Sequence, residues 1–199
     1  MSPRTKQAFG RLRQERIDQI NRVAYRVFSD KGFSATMIED IAKEAGISKG
    51  LIYHYYRSKD ELFIKLVGRA MQGALELVET AKVHPGSPLE RLGWLVTEII
   101  TRARQNPEEF LIIVQAYTTC AAPQKARSMA LEYLAAISRS LGEMIKEGQE
   151  SGQIVSGDAG KIAMTVTACL QGLVLSVVLP TGEGSDGLDV SAVLRILEP

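Results

Sequence analysis

Four stretches of this chain spell out the start of an α-helix, and no stretch spells out a β-hairpin. Thr36-Met37-Ile38-Glu39, Ser58-Lys59-Asp60-Glu61 and Ser87-Pro88-Leu89-Glu90 all fit the capping box. In that motif the first side chain accepts from the amide three residues on, and the Glu reaches back to the cap amide. Asn106-Pro107-Glu108-Glu109 is a variant with Pro at the first helical position. Apolar residues recur at three- and four-residue steps, as in Ile17, Ile20, Ala24, Val27 and Phe28, the mark of an amphipathic helix. Gly32 follows this run and suits a left-handed C-terminal position. Alternating β-branched runs joined by Asn-Gly or Asp-Gly are missing. The spacing predicts about nine helices, over roughly 13–30, 37–45, 48–55, 59–81, 88–105, 107–121, 124–151, 158–179 and 189–197, and an all-α fold.

The most specific segment is Thr36 to Phe63. Here two short helices are separated only by Ala45-Gly46-Ile47-Ser48, a helix-turn-helix spacing. Ala42 is small where the helices should cross, and Ile38, Ile41, Ile47, Leu51 and Ile52 supply the apolar contact. Placed at 100° steps, Lys49, Gly50, Tyr53 and His54 share one sector of the second helix, and Ser48, Leu51, Ile52 and Tyr55 the opposite one. The first sector offers a cation, a phenol, an imidazole and a glycine without a side chain to hold the backbone away. Such a face suits the major groove of DNA, which admits a helix and displays donors and acceptors.

These residues carry a resemblance. Gly46-Ile47-Ser48-Lys49-Gly50-Leu51-Ile52-Tyr53, Ser58-Lys59-Asp60-Glu61-Leu62-Phe63, and Phe28, Gly32, Phe33 and Thr36 before them resemble the TetR family of transcriptional regulators over about residues 13–66. Family members often read Tyr-Tyr-His-Phe where this chain reads Tyr53-His54-Tyr55-Tyr56, so His54 stands at a usual Tyr position; the helical wheel favours His54 over Tyr55 as the outward side chain. The resemblance implies that Thr36 holds a phosphate at a helix start, that Ser48, Lys49, Gly50, Tyr53 and His54 meet phosphates and bases, and that Lys59 clamps a phosphate beside a helix N-terminus. It also implies two domains, a helix-turn-helix head over 1–58 and a helical ligand-binding and dimerisation body over 59–199.

In the body, Phe110, Ile113, Val114 and Tyr117 share one helical face, and Trp94, Met129 and Tyr133 add large side chains nearby. Singly each reads as core. The resemblance implies a ligand cavity among these helices, with Trp94, Phe110, Ile113, Tyr117, Met129 and Tyr133 as candidate linings. The body has no strongly charged cluster in its sequence, which points to an apolar or weakly polar effector. Ile162–Gly182 is 21 residues without a charge, closed by Pro180; its polar and glycine positions read as a buried or partner-facing helix rather than a membrane span. On it Ala168, Gly172 and Ser176 repeat every fourth residue, flanked by Leu173 and Val177, so that another helix could approach closely. The resemblance implies a homodimer through this helix. A two-fold dimer would set two reading helices about 34 Å apart on a pseudo-palindromic duplex operator.

Charge tests the DNA reading independently. The chain carries 24 Lys+Arg and 23 Asp+Glu, a net of +1 that suggests no polyanionic partner. Residues 1–70, however, hold 14 basic and 8 acidic side chains, a net of +6, and the remainder a net of −5. A basic domain is the electrostatic footprint of a nucleic-acid partner. Arg4, Lys6, Arg11 and Arg13 form a basic N-terminal arm that adds to it. No secretory segment opens the chain, and Cys120 and Cys169 lack the spacing of a zinc site or a disulfide framework; both are expected to be buried and inert, in a reducing, cytoplasmic compartment. His84 sits in a Pro-Gly loop and reads as exposed. No nucleophile–base pair, paired carboxylates, metal spacing or phosphate loop is present, so the chain does not read as an enzyme, and no cofactor or metal is implied. The reading is therefore a ligand-relieved repressor. The alternatives are a DNA-binding protein without an effector or an enzyme using the apolar cavity.

Overall fold

The computed structural model describes residues 3–179 and 190–199, with side chains from residue 8 onward. Among these residues there are only helices: α1 (Pro3–Ala35), α2 (Ile38–Glu44), α3 (Lys49–Tyr55), α4 (Lys59–Lys82), α5 (Pro88–Gln105), α6 (Pro107–Thr118), α7 (Gln124–Glu150), α8 (Ala159–Val178) and α9 (Val190–Arg195). Pro180, expected to close α8, lies outside the described residues.

The start of α1 lies ten residues before the expected one. Residues 8–15 of this extension are all exposed, Phe9 and Leu12 each at 62%, so no packed apolar stripe betrays it. Near its other end Gly32 adopts φ 77°, ψ 164°, a backbone region that only glycine occupies readily, and kinks the helix before a last turn.

Helix starts follow the sequence, with two corrections. Ser87 and Glu90 form both halves of a capping box, with Ser87 N donating to Glu90 Oε2 at 2.8 Å and Glu90 N to Ser87 Oγ at 3.4 Å. Ser58 accepts from Glu61 N at 3.1 Å, while the Glu61 carboxylate accepts from Arg57 N. Thr36 is not the cap of α2: Met37 is, and its amide donates to Asp40 Oδ2 at 3.1 Å. Asn106 makes no side-chain cap to α6.

The α2–α3 turn is closed by backbone alone. Gly46 takes φ 64°, Ile47 N donates to Ala42 O at 3.0 Å and Gly46 N to Lys43 O at 3.2 Å, the paired bonds of a Schellman motif. The turn thereby sets α3 across α2, with Ile38, Ile41, Ala42 and Ile52 buried between them.

One apolar cluster joins α1, α2 and α3 to the first half of α4 through Leu62, Phe63, Leu66, Val67 and Met71, and on to Ile112, Ala116, Ala126 and Ala130 of α6 and α7. At its centre Phe28 and Phe33 lie parallel and Phe63 meets both edge-on, with centroids 4.9 to 6.1 Å apart. A second cluster gathers Leu77, Val78 and Ala81 of the other half of α4 with α5, α7 and α8. The first cluster thus runs beyond residue 58 along α4, and both α4 and α7 contribute to the two clusters. Helix α8 buries only Ala163, Val166, Leu170 and Val174.

Candidate nucleic-acid interface and body cavity

Ser48 caps α3 by accepting from Leu51 N at 3.2 Å, which fixes where the helix begins and hence which residues face out. Lys49, Gly50, Tyr53 and His54 are exposed; Ile52 is fully buried, and Leu51 and Tyr55 are half-buried. Tyr53 keeps 44% of its surface in solvent, a large share for an aromatic side chain. His54 stands edge-on to Tyr55, 5.1 Å between ring centres, but only Tyr55 packs against the core. Tyr56 is buried and donates to Asn21 Oδ1 at 2.6 Å, tying the end of α3 to α1. A Cβ at Gly50 would meet nothing closer than Ser48 Oγ at 3.9 Å, so the outer surface there is bare backbone.

Lys49 pairs with Glu39 across the α2–α3 turn and lies 5.7 Å from the Tyr53 ring centre. That hydrogen bond holds the Glu39 carboxyl below its usual range. Both partners are about half exposed, so the pair is weak and readily exchanged for a phosphate.

Two expected phosphate holders are instead built into the fold. Thr36 is 1% exposed, and its hydroxyl donates to Gly32 O at 2.7 Å, closing the kink. Lys59 Nζ donates to Phe33 O at 2.8 Å and Thr36 O at 2.9 Å, lies 3.4 Å from Ser34 O, and sits 4.4 Å from the Phe33 ring centre. The ammonium thus donates to the carbonyls left at the end of α1. Arg11 and Arg13 are exposed on α1; the side chains of Arg4 and Lys6 lie outside the described residues.

The body holds a partly open cavity of about 510 Å³ between α4, α5, α6, α7 and α8. Of the six expected linings, Phe110, Ile113 and Tyr117 face it. Trp94, Met129 and Tyr133 do not. Trp94 stacks on His84 at 4.4 Å, Met129 packs against Gly68, and Tyr133 borders a shallow groove beside Gln72, Leu75 and Glu76. Large size alone drew attention to these three, and their helical phases point elsewhere. The cavity also has a charged end that the sequence reading missed, formed by Glu98, Arg102 and Glu109 with Gln105 and Asn106. Arg102 Nε and Glu98 Oε1 are paired at 2.8 Å. Burial pushes the Glu109 carboxyl up from its usual range, with Arg69 and Arg102 opposing. The signal was present: Glu109, Ile113 and Tyr117 share one stripe at four-residue spacing.

On α6 the neighbouring stripe faces the head. Ile112 and Ala116 are fully buried in the head cluster, and Gln115 Nε2 donates to Phe28 O at 2.9 Å, near the end of α1. On α8, Ala168, Gly172 and Ser176 are exposed and Leu173 and Val177 half-buried; a Cβ at Gly172 would meet nothing within 4 Å. Met164 on the same helix is 67% exposed. Helix α8 has a mean hydropathy of 1.7 over its most apolar window, yet its own chain covers little of it. Both cysteines are free, and Cys120 is exposed in the α6–α7 loop rather than buried as expected, because α6 ends at Thr118, before it. Among the described residues no three His, Cys, Asp or Glu side chains are grouped to hold a metal.

Comparison with known proteins agrees with this geometry. Residues 20–66 match the family described as bacterial regulatory proteins, tetR family. The HTH-type transcriptional regulator AcrR of Shigella flexneri is 30% identical over 155 residues, covering 73% of this chain and 70% of that one. The HTH-type transcriptional repressor KstR2 of Mycolicibacterium smegmatis is 35% identical over 85 residues, 39% of this chain and 38% of that one. A TetR-family regulator from Agrobacterium tumefaciens superposes with a TM-score of 0.81 at 21% identity, covering 94% of this chain and 99% of that one. FadR from Bacillus subtilis, solved with stearoyl-CoA, superposes with a TM-score of 0.75 at 22% identity, covering 90% and 96%.

Proposed function

This chain belongs to the TetR family of bacterial transcriptional regulators, and from that premise we propose that it is a cytoplasmic homodimeric repressor released from its operator by a small, largely apolar ligand. The observation that carries the DNA assignment is the split of α3: Lys49, Gly50, Tyr53 and His54 exposed, with Ile52 buried, Leu51 half-buried and Tyr55 packed against the core. Lys49 exchanges Glu39 for a phosphate or a base edge, Tyr53 and His54 offer donors to base edges, and bare Gly50 lets the helix seat closely. Ser48 positions α3. A phosphate at the start of α4 meets first-turn amides there, since the Lys59 ammonium faces inward.

Two copies are needed, because one seven-residue reading helix makes few contacts. The uncovered small-residue stripe of α8 supports a dimer built on Ala168, Gly172 and Ser176, flanked by Leu173 and Val177. The cavity supports an effector: its size falls in the range of small-molecule sites. A ligand that binds best when the two heads are wrongly spaced for DNA weakens operator binding by the same coupling energy. Helices α4 and α6, each touching both the head core and the cavity, would carry that movement.

Selection of bound duplexes from a random pool should recover a palindrome, which gives both site and symmetry. In a gel shift on that site, Lys49→Ala with Tyr53→Ala should abolish binding while the protein remains a folded dimer; undiminished binding refutes the assignment.

A further inference from the structure

Resting on the ligand-binding reading above, we propose that the cavity takes an organic cation with an apolar body, its positive centre held against the carboxylate of Glu109. Glu109 stands on the first turn of α6 and lines the cavity, with Ile113 and Tyr117 four and eight residues on. At about 1.5 Å per residue that stripe runs about 12 Å, an acidic end followed by an apolar track. Glu108 on the same turn serves the helix dipole equally well, so the dipole alone does not explain an acid that faces the void.

The charge balance of the lining decides the sign of the ligand. Among the described residues Glu98, Arg102 and Glu109 are its ionisable side chains apart from the phenol of Tyr117, and Arg102 is already paired with Glu98. Arg69, the other cation near Glu109, is held by Asp18 at 2.9 Å, and Glu108 adds like charge. Among the described residues the Glu109 carboxylate has neither an ion pair nor a hydrogen bond. A half-buried carboxylate left without a partner is unfavourable, and a cationic ligand supplies that partner. Phe110, next along the same turn and also in the lining, adds an aromatic side chain of the kind that favours a cation. An anion would have to displace Glu98 from Arg102 while lying close to Glu109.

The test uses the full-length protein and three probes of one chain length, decyltrimethylammonium, decanol and decanoate, titrated calorimetrically below their micelle concentrations. The cation should bind about tenfold more tightly than decanol, with decanoate weakest. That ratio is a fraction of the Coulomb term for two charges about 4 Å apart near a protein surface. Glu109→Gln should bring the cation down to the level of decanol and leave decanol unchanged. Arg102→Gln, which removes the one lining cation at an exposed side chain, should tighten the ammonium probe. Lowering the pH through the titration of Glu109 should weaken the ammonium probe alone. Decanoate binding as tightly as the cation, or cation affinity indifferent to both substitutions, overturns the proposal while the ligand-binding reading stands. If none of the three binds, the effector cavity itself falls and this proposal falls with it.

Discussion

At the scale of single residues, the side chains whose roles depend on one atom type were legible and those whose roles depend on distant neighbours were not. Gly32 could be read directly, because a chain that must turn after an amphipathic helix needs a residue tolerant of positive φ. Gly32→Ala should destabilise by about 1–3 kcal/mol in urea unfolding. A Cβ there meets nothing within 4 Å, so the whole cost is backbone strain. Lys59 is the opposite case. Its place beside the reading helix suggests a phosphate clamp, but its ammonium is committed to carbonyls more than twenty residues earlier. Lys59→Met should therefore lower stability by about 1–2 kcal/mol. It should leave the slope of log affinity against log salt unchanged, whereas loss of a true phosphate contact would flatten that slope by about 0.9. Thr36 shows the same limit, since only the folded kink buries its hydroxyl. The outward set on α3 was legible because a helical wheel needs no tertiary information, and it placed His54 outside and Tyr55 inside.

At the scale of elements, nearly every helix was visible in advance because caps and apolar period agree; the N-terminal stretch of α1 was not, since a helix that packs against nothing leaves no periodic signature. The same logic explains the missed end of the cavity. Glu109 belongs to the stripe of Ile113 and Tyr117, but apolar periodicity passes over an acid. Its titration gives a pH signature with a definite sign. The folded state raises the carboxyl above its unfolded value, so folding favours the protonated form. Stability of the ligand-free protein should rise as pH falls through the folded value and gain nothing further below the unfolded one. Glu109→Gln should remove that rise and lift the melting temperature at neutral pH, measured by circular dichroism. Where α7 ends, Gly148 is buried with Ile154 folded over it, and a Cβ would lie 2.3 Å from Ile154 Cδ1. Gly148→Ala should destabilise by about 1–3 kcal/mol through overpacking, and Ile154→Val in the same chain should recover part of the loss.

At the scale of the whole molecule, the near-neutral total charge conceals a basic head and an acidic body, and the division could be read because it follows the sequence. The cavity could not, since a void is defined by how five helices fail to fill the space between them. The dimer prediction belongs here. Gly172→Glu places a carboxylate on the bare stripe of α8, where a single chain has open space for it. The variant should keep its helical content, sediment as a monomer and lose cooperative binding to a two-half-site operator; an unaltered dimer would exclude this face. Finally, α6 serves the cavity and the head at once. Positions 110, 113 and 117 touch the cavity and 112, 115 and 116 touch the head, but 113 and 117 pack against the head cluster as well. A substitution at 113 or 117 that alters what the body admits is therefore also felt in the core that α6 shares with α1, whereas Phe110 meets the cavity from a separate cluster. A change of ligand that leaves the output of such a protein intact, by evolution or by design, therefore starts from position 110.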